Sequence, residues 1–218
     1  MKMHPRVWVA LATTLLCLSA RAAPQPIETA PDGQELAVFA GGCFWCTEAD
    51  FDKIAGVTHT VSGYIGGDAS SANYPAVSAG RTEHIEAVAV FYDPGKVSFA
   101  QLVEAFWPTI DPITPNAQFC DKGAQYRSAL FYADESQLGV LETSRDALAA
   151  SGRFSQPIVT EILPRIRLFT RRRNTTRITI RRTPCAIATT ALAVGVTRDW
   201  NNSGANADRH GKSRRVAG

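Results

Sequence analysis

Leu36-Ala37-Val38-Phe39-Ala40-Gly41-Gly42-Cys43-Phe44-Trp45-Cys46-Thr47-Glu48 is an apolar run, two glycines, and a cysteine where the pattern changes. The run reads as a buried strand over 36–40. Phe44 onward reads as a helix over 44–55 that closes near Gly56. A cysteine at a helix start meets free N–H groups and the positive end of the macrodipole, which favour thiolate over thiol. The glycines permit a sharp turn and a close approach by a substrate. Phe44 and Trp45 supply apolar walls beside the sulfur. A structural disulfide, or two inert cysteines at a buried helix start, is the alternative for a bare Cys-x-x-Cys. The glycine pair and the helix placement weigh against it.

Outward from this stretch, strands and helices alternate. Residues 57–65 alternate apolar and polar before the turn Gly66-Gly67-Asp68. A short helix is predicted over 73–79. Ile85-Glu86-Ala87-Val88-Ala89-Val90-Phe91-Tyr92 is the clearest strand, closed by Asp93-Pro94-Gly95. Ser98 caps a helix whose face is Phe99, Leu102, Val103 and Phe106, with Pro108 ending it. Residues 111–123 read as loop, 128–132 as a strand, 135–150 as a helix and 157–163 as a final strand. This order predicts an α/β fold, a two-layer sandwich around one sheet.

Some residues sit oddly in this pattern. Glu86 is in phase with Val88 and Val90, so a carboxylate shares the apolar face of a strand. That is costly unless the group is paired or protonated, although a charge at a sheet rim is tolerated. Asp121 taken alone is a turn residue, Tyr74 and Tyr126 are core or interface aromatics, and His59 and His84 are surface or strand residues. Cys43, Cys46 and Cys120 could bind zinc, but a second Cys-x-x-Cys or His pair is missing, so no metal is expected.

The ends of the chain differ from its middle. Lys2 and Arg6 precede an apolar run over 7–20 and an Ala20-Arg21-Ala22 cleavage pattern. Residues 1–22 therefore read as a Sec signal peptide, too short for a membrane span, and the mature chain is expected in a periplasm, where thiols meet oxidants. Residues 1–163 carry ten Lys/Arg against eighteen Asp/Glu, and residues 164–218 thirteen against two. A basic tail ordinarily suggests nucleic acid or an acidic membrane.

Taken together, residues 37–163 resemble the A-type peptide methionine sulfoxide reductases. The resemblance rests on Gly-Gly-Cys-Phe-Trp-Cys-Thr-Glu at 41–48, Ser-Gly-Tyr-Ile-Gly-Gly at 62–67, Asn-Tyr-Pro-Ala-Val at 73–77, Gly-Arg-Thr-Glu-His-Ile-Glu at 80–86 and Asp-Lys-Gly-Ala-Gln-Tyr-Arg-Ser at 121–128. Ser78, where the family often has cysteine, and Glu83, where it has glycine, depart from the pattern. The resemblance implies a ferredoxin-like sandwich with one mixed sheet and flanking helices. It implies Cys43 as the nucleophile, Glu86 as a buried acid that protonates the departing oxygen, and Tyr74 and Tyr126 as hydrogen-bond donors to that oxygen. Phe44 and Trp45 would hold the methyl group, and Asp121 a water or the polar side of the substrate. The substrate implied is the S epimer of methionine sulfoxide, free or in oxidised proteins. No bound cofactor is implied, only an external thiol reductant, thioredoxin or a similar dithiol, acting on a monomer.

The tail departs from the family, which has Tyr-His-Gln-Asp-Tyr and then a resolving cysteine in Gly-Cys-Gly-Arg-Asp. Asn174-Thr175-Thr176-Arg177-Ile178-Thr179 can be encoded AAT ACC ACC AGG ATT ACC, and regrouping from the third base gives TAC CAC CAG GAT TAC, which is Tyr-His-Gln-Asp-Tyr. The same regrouping from Leu192 permits Gly-Cys-Gly-Arg. Residues 165–218 are therefore read as a frameshifted, disordered tail with an accidental charge, and no nucleic-acid or membrane partner is expected of the mature chain. With the resolving cysteine lost, Cys46, three residues from Cys43, is the expected resolver, and nothing positions Cys185. The rival readings are a thioredoxin-like dithiol oxidoreductase using Cys43/Cys46, a basic binding module built on the tail, and an inactive remnant. Phe44-Trp45 fits the first poorly, since a proline is usual between such cysteines.

Overall fold

Ile85–Tyr92 has all eight residues buried and forms the middle of a mixed sheet. A strand covered on both faces needs apolar side chains in both phases, which this sequence supplies apart from Glu86. The computed structural model describes residues 26–27, 29–165 and 169–171. The signal segment, residues 172–218 and Cys185 lie outside the described residues. In chain order the strands are β1 (Pro26–Ile27), β2 (Glu35–Gly41), β3 (Val57–Ile65), β4 (Ile85–Tyr92), β5 (Ala117–Gln118), β6 (Asp121–Lys122), β7 (Ser128–Tyr132), β8 (Glu161–Pro164) and β9 (Phe169–Arg171). The helices are α1 (Phe44–Phe51), α2 (Tyr74–Ser78), α3 (Phe99–Phe106) and α4 (Glu135–Ala150).

Among the described residues, the main sheet runs β1-β9-β3-β4-β2-β7-β8. The β7–β8 pair is parallel and the remaining neighbours are antiparallel. Val88, Val90 and Tyr92 join Ala37, Phe39 and Leu130 under Phe51, Leu102, Val103, Phe106 and Leu141, so α1, α3 and α4 cover one face. The opposite phase, Ile85, Ala87, Ala89 and Phe91, packs with Leu36, Val38, Ala129, Phe131 and Phe169. This is the expected α/β architecture of one mixed sheet with flanking helices. Among the described residues no helix is long and apolar enough to cross a membrane.

Local chemistry accounts for most boundaries. Ser98 Oγ accepts from the Gln101 amide, and the Gln101 side chain accepts from the Ser98 amide, a reciprocal cap that starts α3. Helix α1 is shorter than the expected 44–55. After Phe51 the bonds tighten to Lys53 N–H onto the Asp50 carbonyl and Ile54 N–H onto the Phe51 carbonyl, which unwinds the helix toward Gly56. The final strand begins at Glu161 rather than at 157. Pro157 lacks a donor, and the Val159 N–H is committed to the Pro112 carbonyl at 2.8 Å. The expected loop over 111–123 contains the two-residue ladder β5–β6, too short to show a period. The sheet also continues past Pro164, because Phe169–Arg171 adds β9 against β3, with Phe169 buried.

Candidate functional site

Helix α1 begins where β2 leaves the sheet. Gly42 makes the turn at φ +87, and a Cβ there would lie 2.5 Å from the Gln118 side chain, so glycine is required on both counts. Cys43 is the N-cap of α1 and is half-buried, whereas Cys46 one turn on is exposed. The amides of Cys46 and Trp45 point at the Cys43 sulfur and favour its anion, as the helix-start argument expects. A hydrogen bond with the Cys46 thiol and burial act the other way and prevail. They hold the Cys43 thiol well above its ordinary pKa, while the same hydrogen bond draws Cys46 below it. The bond between the two thiols thus works against an anion at Cys43 and toward one at Cys46, opposite to the pull of the helix-start amides. Iodoacetamide labelling of the reduced protein should accordingly modify Cys46 first, with a pH midpoint below that of an ordinary thiol. Equal labelling of Cys43 and Cys46, or a midpoint above the ordinary value, contradicts this proton arrangement.

Glu86 reaches the same turn from β4. It is 2% exposed, and its Oε2 accepts the Phe44 N–H at 3.2 Å. In the β3–β4 register it lies opposite Tyr64. The aromatic rings form a run through the site. Tyr64 and Phe44 have centroids 5.7 Å apart, Phe44 and Trp45 5.3 Å, and Trp45 and Tyr74 5.9 Å. Phe44 is buried, so the wall open to a ligand is Trp45 and the half-exposed Tyr74. Tyr74 opens α2, whose cap is the Asn73 side chain accepting from the Ala76 amide.

Tyr126 ends a single 3-10 turn, Ala124–Tyr126. Burial first, then the charges of Glu86, Asp121, Tyr74 and Cys43, push its hydroxyl up to about 12. Those four groups, spread with Tyr126 over 84 positions of sequence, therefore lie near enough to act electrostatically on one hydroxyl. Asp121, in β6, is raised from its ordinary range by burial. Cys120 is disulfide-bonded, and among the described residues the free thiols are Cys43 and Cys46. His59 stacks on Phe91 at 4.0 Å. His84 is buried, its Nε2–H donating to the Asp68 carbonyl at 3.0 Å.

Other polar residues hold the elements of the site in place. Glu48 on α1 accepts from the Ser62 hydroxyl at 2.7 Å and the Thr60 hydroxyl at 3.4 Å, which pins the helix to β3. Gln125 is buried, its Nε2 donating to the Ser78 carbonyl. Their signal in the sequence is weak, because a Glu on a helix or a Gln in a loop is ordinarily a solvated side chain.

This constellation, a thiol pair at a helix start with a buried carboxyl and two tyrosines, is the setting in which the sequence matches a family model described as peptide methionine sulfoxide reductase, over residues 35–173. The chain belongs to that family. Among its relatives, the peptide methionine sulfoxide reductase of Halalkalibacterium halodurans is 49% identical over 130 residues, 60% of this chain and 74% of that protein. That of Streptococcus agalactiae is 45% identical over 130 residues, 60% of this chain and 77% of that protein. Among solved structures, methionine sulfoxide reductase A of Corynebacterium diphtheriae superposes with a TM-score of 0.58 at 32% identity, covering 68% of this chain and 77% of that one. Reduced Mxr1 of Saccharomyces cerevisiae gives 0.60 at 29%, covering 67% and 83%. Family membership makes the chain an oxidoreductase acting on the sulfur of methionine sulfoxide, and it sets the thioredoxin-like reading aside.

Proposed function

We propose that Cys43 is the nucleophile in the reduction of the S epimer of methionine sulfoxide, and that Glu86, Tyr74 and Tyr126 act on the departing oxygen. The observation that carries this reading is the Phe44 N–H bonded to Glu86 at 3.2 Å, which ties the acid to the residue beside the thiol. The Cys43 sulfur attacks the sulfoxide sulfur while Glu86 delivers a proton to its oxygen. The oxygen ends on Cys43 as a sulfenic acid and methionine leaves. Tyr126, pushed up to about 12, keeps its proton through neutral pH and so remains a donor to the oxygen as charge develops there. Tyr74 is the second donor, Trp45, backed by the buried Phe44, bounds the methyl group, and Asp121 holds a water or the polar side of the substrate.

Cys46 then resolves the sulfenic acid, releasing water and leaving a Cys43–Cys46 disulfide. Its lowered pKa and its hydrogen bond to Cys43 support this role. An external dithiol, thioredoxin or one like it, returns the pair to thiols, and a bound cofactor has no part in this scheme. The chain acts as an exported monomer, in a periplasm if residues 1–22 are a signal. Single-turnover oxidation with methionine sulfoxide followed by peptide mapping tests the resolving step. A Cys43–Cys46 disulfide is expected, and a lasting sulfenic acid, or a Cys43–Cys120 link formed by exchange into the disulfide that Cys120 already makes, overturns it. The substrate assignment is tested with resolved epimers. Methyl, oxygen and side-chain contacts fixed in one chiral site predict consumption of the S form alone, and equal consumption of both contradicts it.

The arginine-rich composition of residues 165–218 supports a change of reading frame near Pro164. The gene sequence across codons 160–175 should show one inserted or deleted base that restores Tyr-His-Gln-Asp-Tyr. An uninterrupted frame with no such neighbour sequence removes the idea.

A further inference from the structure

We infer that Gln125 is a positioning residue that sets the spacing of Tyr74 and Tyr126 by clamping α2 to the turn that carries Tyr126. Gln125 immediately precedes Tyr126 in that single turn, and it is 5% exposed. Its side-chain amide does not point to solvent, where most glutamines point. Instead Nε2 donates to the Ser78 carbonyl at the last residue of α2, across 3.1 Å and 47 positions of sequence. Ser78 Oγ in turn donates to the Tyr74 carbonyl at 2.6 Å. A continuous chain of bonds therefore runs from the residue beside Tyr126 to the backbone of Tyr74.

The surroundings are shaped to this side chain. Gly123 has φ +133, and a Cβ there would lie 2.4 Å from Gln125 Oε1. A Cβ on Gly80, just past α2, would lie 3.4 Å from the same oxygen. Gly123 also accepts the Tyr126 N–H at 3.0 Å, so the turn, the glycine and the glutamine form one unit. Helix α2 is five residues long, and a helix that short holds its orientation through tertiary bonds and not through its own ladder. Loosening the clamp lets α2 and the turn drift independently. Two donors aimed at one oxygen then lose their common focus, and displacements near 1 Å at a reacting centre cost up to about 10²-fold in rate.

The inference rests on the proposal that Tyr74 and Tyr126 both serve the departing oxygen, and the test separates the two ideas. Gln125→Met keeps length and bulk but removes the donor, and the single-turnover rate of methionine formation is measured with it in the native background and with Tyr74→Phe. Gln125→Met alone should lower the saturating rate about 10- to 100-fold, with the half-saturating sulfoxide concentration changed less than about twofold. In the Tyr74→Phe background the same change should cost under about threefold, because the partner to be aligned is gone. An unchanged rate, or the same fold loss in both backgrounds, overturns the clamp while leaving the tyrosine assignment standing. A native rate in Tyr74→Phe alone overturns the tyrosine assignment and the clamp with it. Should Gln125→Met fail to fold, Gln125→Glu, equal in shape but with an acceptor facing the Ser78 carbonyl, carries the same comparison.

Discussion

Cys43→Ser is expected to bring methionine sulfoxide reduction down to the uncatalysed level while the protein still folds. The fold should survive because Cys43 is the N-cap of α1 with no side-chain cap bond of its own, and serine is among the best residues for that position. The chemistry should not survive. A serine hydroxyl keeps its proton at neutral pH, is a poor nucleophile toward sulfur, and cannot carry the oxygen as a sulfenic acid. Cys46→Ser is the control, since it should still form one equivalent of methionine per protein and then stop for want of a resolving thiol. The measurement is methionine released per protein, with circular dichroism to show that both variants are folded. Turnover of Cys43→Ser near the native rate moves the nucleophile elsewhere, and Cys46 is then the first place to look.

Glu86→Gln should lower the rate by about 10²- to 10⁴-fold, the range for losing a general acid, equivalent to roughly 3 to 5 kcal/mol of barrier. The substitution is nearly isosteric, and the amide oxygen of Gln can still accept the Phe44 N–H now bonded to Glu86 Oε2. The turn that carries Cys43 should therefore keep its place, and only the transferable proton is lost. The diagnostic is selectivity of the damage. Cys46 should keep its alkylation rate at a given pH to within a small factor, while methionine formation in a single turnover collapses. A rate within about threefold of native would reduce Glu86 to a buried structural acceptor of the Phe44 amide.

These two residues show how differently parts of the site are written into the chain. Cys43 is legible locally. An apolar run, two glycines and a helix start occupy a dozen residues, and the preferences that shape them act over that same window. Glu86 is half legible, because its phase in β4 marks a carboxyl on an apolar face but not what it faces. The capping of α3 by Ser98 and the whole of α4 are equally local, and both stand where pattern puts them. The helix α1 is not, for its end depends on how tightly the chain turns toward Gly56.

The sequence by itself determined the longer strands and helices and their order, the motif that marks the family, and the thiol at the start of α1, but not the short β5–β6 ladder or β9. The tertiary structure alone decided that Phe44 and Glu86, 42 residues apart, share a hydrogen bond, and that Glu86, Asp121, Tyr74 and Cys43 all act on the titration of Tyr126. It alone joined the Cys43 and Cys46 thiols in a mutual hydrogen bond that, with burial, opposes the pull of the helix amides on Cys43. It alone tied α2 to Gln125 and added Phe169 to the core. The physical reason is range. Propensity, capping and hydrophobic period are set by neighbours within a few residues, whereas burial and the field at a side chain are set by whichever strands the sheet register brings alongside.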